Sequence, residues 1–331
     1  MYELLGISLT LAAVLTINAA TSLAAAGLWR LIERPMQRYS GRTRAEVLFA
    51  MRVGPPAVAV ISVAALLIPS YLVYEPYSTS EAVSTKLSAL AIVSVIGLAL
   101  ALWRALRSWL ATRSLLRKWV GIATPIHIAE IKVPTFRIPH SFPIIAVVGV
   151  FRPRLFIADR VIESLSREEM VAAIAHECGH LAAHDNLRRM LIRACRDMLA
   201  IVPCGRSIDR AWSENAEAAA DEHAADQGAA VALNLASALI EIARMVPAGA
   251  RPSMPAGAFI LGDETNGVMG RVNRLLTLAG AGQRPPKPIF ISWAARTGFL
   301  LLLGCLIITL TNTHALASLH VVMERVVRLL S

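Results

Sequence analysis

His176, Glu177 and His180 stand in the order H-E-x-x-H. At about 3.6 residues per helical turn the two histidines stack one turn apart on one face, so both imidazoles reach one metal ion. Glu177 lies about 100° round the helix from His176, out of ligand position but placed to take a proton from a water activated at the metal. Catalytic zinc uses three protein ligands and leaves a fourth position to water, so a third ligand is required. His184 repeats the four-residue spacing, but it lies ~12 Å from His176 along the axis, and three side chains so spread do not converge on one ion. The segment from Glu214 to His223 holds a better ligand. Glu217 and Asp221 share a helix face there, so Glu217 can bind metal while Asp221 accepts the outer N–H of a ligand histidine and fixes its tautomer. The expected cofactor is one zinc ion per chain.

The surroundings of the motif predict a helix that stays out of the bilayer. Ser166-Arg167-Glu168-Glu169 fits a capping box, and Val171, Ile174, Ala175, Cys178 and Leu181 recur at helical spacing. Charges flank the motif on both sides, from Arg167 to Arg189. The metzincin pattern fails, because Ala183 and Asn186 occupy the places of its glycine and third histidine. The motif helix is expected to run to about Ala200, and the second ligand helix to end near Gly228.

The paired motifs resemble the membrane-embedded gluzincins of peptidase family M56, the type of the antibiotic receptors. The resemblance extends through Gly149 to Ile157 before the motif helix and through Asp185-Asn186-Leu187 after it. It continues to Arg271-Val272-Asn273-Arg274-Leu275, which looks like that family's late arginine-containing helix. It implies a zincin-like fold, a repressor or the chain itself as the protein cleaved, and no room here for the family's large penicillin-sensing domain. All five tyrosines, at positions 2, 39, 71, 74 and 77, precede this region. Arg271 and His184 are therefore the candidates for contacting substrate or the transition state.

Hydrophobic residues make up 56% of the 331 residues, more than a soluble chain of this size usually carries. Leu4 to Trp29 and Val53 to Tyr74 hold no charge, Leu87 to Trp103 is shorter but similar, and Ile289 to Thr313 makes a fourth span with Arg296 snorkelling. Six arginines between Arg30 and Arg52, and five basic residues from Arg104 to Lys118, place those stretches and the metal domain in the cytoplasm. The expected layout is three membrane helices in 1–103 with a basic cytoplasmic loop at 30–52, then the metalloprotease domain at 104–288. The fourth span follows at 289–313, and an amphipathic extracytoplasmic tail at 314–331. The bilayer is the bacterial cytoplasmic membrane. The net charge of +10 reflects this bias, with no aromatic-interleaved basic patch for direct nucleic-acid binding. The four cysteines form no metal or disulfide spacing.

The fold expected is thus an α-helical membrane protein of about four spans carrying a cytoplasmic α+β domain. Ile126 to Val133, Phe142 to Val150 and Leu155 to Ile157 suggest a small antiparallel sheet, with Phe142 to Val150 as an edge for an extended substrate. Residues 229–246 read as a further helix and Pro247 to Gly267 as a loop over the cleft. The partners expected are a protein substrate, the lipid bilayer and a second copy of the chain. The function is that of a membrane zinc endopeptidase in regulated proteolysis. Two other readings stand beside it: an M48-like or site-2-type housekeeping protease, and a scaffold with a structural metal. The scaffold has no use for Glu177.

Overall fold

The computed structural model describes residues 2–76, 83–128, 133–197, 205–246, 267–280, 304 and 312–330. All but the last residue of the expected cleft loop from Pro247 to Gly267, and almost all of the expected fourth span, lie outside them.

The described residues are mostly helical, and among them three helical stretches are long and apolar enough to cross a membrane. The first is α1 (Tyr2–Met36). The second is α2 (Gly41–Ser62), continued by a π-helical turn over Val63–Leu67 and by α3 (Ile68–Tyr74). The π turn has a local cause. Pro69 offers no N–H and its ring would collide with the carbonyl of Ala65, so the ladder slips by one residue just ahead of it. The third stretch is α4 (Thr85–Ile122), started by the Ser84 hydroxyl, which accepts from the Leu87 N–H.

Two boundaries differ from those read in the sequence. Within 30–52, only residues 37–40 form a turn between α1 and α2, because arginine is a good helix former and the Ser40 hydroxyl caps α2 through the Thr43 N–H. The third helix does not end at Trp103 but continues as one rod to Ile122. Arg107 and Arg113 lie over the rings of Trp103 and Trp109 along this continuation.

Beyond α4 the chain forms a four-stranded sheet: β1 (Thr124–Ile126), β2 (Thr135–Ile138), β3 (Ile145–Val148) and β4 (Arg154–Ala158), in the order β1-β2-β4-β3. The sheet is mixed rather than antiparallel, since β2 and β4 run parallel, Phe136 opposite Phe156. Short apolar runs do not encode strand direction; across the parallel pair those two rings stack at 5.4 Å. Among the described residues β3 has β4 as its one strand partner and forms an edge of the sheet. The Ala158 N–H bonds the Ile144 carbonyl, so by the antiparallel alternation Ala146 and Val148 face β4, and Ile145 and Val147 face outward.

Five helices follow: α5 (Asp159–Ser164), α6 (Arg167–Ala183), α7 (Asp185–Asp197), α8 (Gly205–Ala225) and α9 (Ala229–Met245). α10 (Val268–Gly280) packs on α9 and α8. α6, β3, β4 and α9 enclose one core, with Phe156, Ile138, Leu235 and Leu239 essentially inaccessible. A second core joins the candidate membrane helices to this domain: Trp29 and Met36 of α1 and Leu48 of α2 pack on Ile192, Ile208 and Trp212. α2 and α8 lie antiparallel across it, with Arg52 donating to Asp209 at 2.9 Å near one end and Gly41 touching Glu222 at the other. The tail forms α11 (Thr313–Leu330) at the opposite ends of α1 and α3. There Met323 packs on Leu9 and Tyr71, and Ser70 donates to the Leu316 carbonyl.

Candidate metal centre

α6 carries His176, Glu177 and His180, and it begins where the sequence places it. The Ser166 hydroxyl accepts from the Glu169 N–H, while the Glu169 carboxylate accepts from the Ser166 N–H. The helix does not run on to Ala200. It stops at His184, which adopts a left-handed conformation at φ 56° and accepts through its carbonyl from Arg188, the first turn of α7. The exposed His184 is thus the hinge between two helices, and the structure does not bring it to the other predicted site residues. A non-glycine residue in this region is strained, so His184→Gly is expected to keep activity and to hold or raise the melting temperature.

The reversal at His184 delivers two residues that spacing alone did not single out. Asp185 turns back on the motif, 2.7 Å from Nδ1 of His180. Asn186 reaches the outer edge of β3, where its Nδ2 donates to the carbonyls of Val147 and Gly149 at 3.0 Å each. Their only sequence signal was the Asp185-Asn186-Leu187 run.

α8 lies across α6 and presents Glu217 and Asp221. The crossing is close enough that a Cβ on Gly179 would stand 2.9 Å from the Ala220 Cα, so the small residue between Cys178 and His180 is what lets α8 approach. Asp221 holds Nδ1 of His176 at 3.0 Å, as expected for a carboxylate that orients a ligand histidine. Both histidines therefore have the outer nitrogen occupied by a carboxylate and Nε2 turned to Glu217. The Glu217 carboxylate stands 3.6 Å from Nε2 of His176 and 3.7 Å from Nε2 of His180. Donors held tetrahedrally at about 2.0–2.2 Å from one ion stand about 3.4 Å apart. His176, His180 and Glu217 fit a zinc ion, and they are the one group among the described residues so placed.

Arg271 of α10 completes the cluster. Its guanidinium makes two bonds to Asp221, at 2.6 and 3.1 Å, and pairs with Glu217 at 2.8 Å. Arg274 adds a longer contact to Asp221, at 3.9 Å. Of the two readings of Arg271, the ion pair that holds the fold is the one this geometry displays.

The electrostatics follow from burial and this pairing. Burial works against ionised Asp221 and Glu217, but the charge of Arg271 and the bond from His176 outweigh it; Glu217 falls to about 2 and Asp221 lies below the usual carboxylate range. Burial pulls His176 down, yet the bonds to Asp221 and Glu217 raise it to about 9. Glu177 is the opposite case. Its oxygens are fully buried, and burial lifts it to about 7 against the pull of both histidines and of the Val147 backbone N–H on the edge of β3.

A raised His176 has a measurable consequence. Metal uptake must expel the proton this imidazole holds below about pH 9, so apparent affinity should fall up to about tenfold per pH unit as pH drops from there. Calorimetric titration between pH 6 and 8.5 in buffers of different ionisation heat would read both the slope and the released proton.

Residues 146–246, from β3 to the end of α9, match Peptidase family M48. M48 peptidases are zinc metalloproteases, so the match supports a metallopeptidase domain over the elements that build the cluster. It is a different family from M56, whose resemblance the sequence suggested. No curated protein matches the chain.

Proposed function

We propose that this chain is an integral membrane zinc endopeptidase that hydrolyses peptide bonds of a cytoplasmic or membrane-proximal protein. The carrying observation is the pairing of a convergent His176, His180 and Glu217 set with a buried carboxylate, Glu177, that forms no ion pair and no strong side-chain bond among the described residues. A structural zinc site has no need of such a group.

His176, His180 and Glu217 would hold the zinc, which when bound would supply a Lewis acid and an activated water. Asp221 and Asp185 fix the two imidazoles with Nε2 toward Glu217, where the ion would sit. Glu177 takes the proton from the attacking water and passes it to the leaving amine. Arg271 keeps Asp221 and Glu217 ionised. The outward edge of β3 is the place for an extended substrate, with the Asn186 amide competing for the carbonyls of Val147 and Gly149.

The membrane layout rests on charge and on the ends of the helices. The arginines from Arg30 to Arg52 lie toward the end of α1 and α2 that packs on the metal domain, which by the positive-inside rule faces the cytoplasm of a bacterial inner membrane. α10 stands at the metal centre and α11 at the far ends of α1 and α3, which supports a fourth crossing between them. The match over 146–246 favours setting the chain beside family M48, and the arginine helix that carries Arg271 keeps the M56 comparison in view.

The test compares new protein N-termini in cells carrying the native chain and cells carrying Glu177→Gln. Cleavage at one or a few sites only with the native chain is expected and would name the substrate. Identical N-termini, with zinc bound in both chains, would move the assignment to a metal-stabilised scaffold.

A further inference from the structure

α8 is gripped from two sides by glycines. Gly179 of α6 presses on one side, where a Cβ would stand 2.9 Å from the Ala220 Cα and 3.1 Å from the His223 Cβ. Gly41, the first residue of α2, presses on the other, where a Cβ would stand 2.7 Å from the Ala218 Cβ and 2.9 Å from the Ala219 backbone N. Metal-ligating Glu217 is the residue before Ala218. At the second contact both oxygens of Glu222 accept from the Gly41 N–H, at 2.8 and 3.0 Å. This carboxylate thus satisfies an amide of the first turn of α2, which no intrahelical carbonyl can reach.

We propose that Glu222 is a positioning residue for the metal centre: by tying α8 to the start of the second membrane helix, it sets where Glu217 stands relative to His176 and His180. The inference rests on reading those three residues as metal ligands. Glu222 follows Glu217 by five residues, about 140° round the helix and ~7.5 Å along it, so it makes no contact with an ion and acts through the placement of α8. The tie continues on the far side. Arg44 of α2 and Arg274 of α10 both act on the Glu222 charge, and Arg274 also reaches Asp221, the carboxylate that orients His176. A ligand set tolerates displacements of only about 0.5 Å. The part-buried bond to Gly41 therefore matters to the metal although it lies a full turn away from it.

The experiment uses the full chain in detergent, stripped of metal and titrated with Co2+ or Zn2+ against a chelator, for the native protein, Glu222→Ala, Glu222→Gln and Gly41→Ala. Glu222→Ala is expected to weaken metal binding about 10–100-fold and to shift the Co2+ absorption bands that report ligand geometry. Glu222→Gln keeps an oxygen that can accept from the Gly41 N–H and should recover most of the affinity. Native-like affinity and bands in Glu222→Ala would overturn the proposal, as would a Glu222→Gln chain no better than alanine. If Glu222→Ala does not fold, Gly41→Ala decides. It retains Glu222 but forces α8 outward, so weakened affinity supports the proposal and unchanged affinity overturns it. A native chain that binds neither metal would instead defeat the reading of the centre itself.

Discussion

Glutamine at position 177 is expected to lower peptide hydrolysis by about 10²–10⁴-fold, the usual contribution of a positioned general base, and to leave metal content unchanged. The two effects separate because Glu177 lies on α6 between the ligand histidines yet belongs to neither pairing that orients them. Glutamine has nearly the same volume, so the surrounding core is not disturbed. The native rate should also fall as pH drops through the Glu177 pKa, about 7 in the metal-free chain and lower beside a bound cation. Stopped assays on the purified protein with a peptide substrate, alongside zinc analysis, would check both. Undiminished hydrolysis by Glu177→Gln would remove this residue from the chemistry.

The second large effect is on stability. Asp221 is fully buried between Arg271 and His176, and Asp221→Asn leaves the guanidinium without its main counter-charge. Breaking a buried pair from one side costs about 3–5 kcal/mol, a large part of the ~5–15 kcal/mol that keeps a domain folded. Metal affinity should fall as well, since an amide no longer fixes the His176 tautomer. The double variant Asp221→Asn with Arg271→Met should recover much of the stability and little of the affinity. Thermal melting of the metal-free chains gives the first comparison and chelator competition the second. A single variant that melts like the native chain would show that Arg271 finds another partner.

Much of this centre was legible because helices turn spacing into geometry. Four residues between His176 and His180, and four between Glu217 and Asp221, fix which side chains share a face before any tertiary contact is known. The same logic could not find Asp185, because its approach to His180 depends on a left-handed turn at His184, a residue type that gives no turn signal. Gly41 and Glu222 were out of reach for another reason. They are 181 residues apart in the chain, and nothing local to either announces the other. Strand direction was lost similarly: β2 and β4 run parallel because the chain passes through β3 between them, a fact of topology rather than of residue type. The arginines of 30–52 were read as a loop but stand mostly on helices, since charge is equally at home there.

The antiparallel lie of α2 and α8 also works as a depth gauge. Arg52 meets Asp209 where the charge-free stretch of α2 begins at Val53. From there Glu217 is eight residues down α8, ~12 Å, and Gly41 eleven residues back along α2, ~16 Å. Measured this way, the ligand set hangs about 12–16 Å beyond the apolar end of α2. An extended chain covers that distance in about four to five residues, at ~3.3 Å each. On the proposed reading as a membrane protease, a substrate anchored in the same bilayer would need a tether of about that length to present a peptide bond at the ligand set.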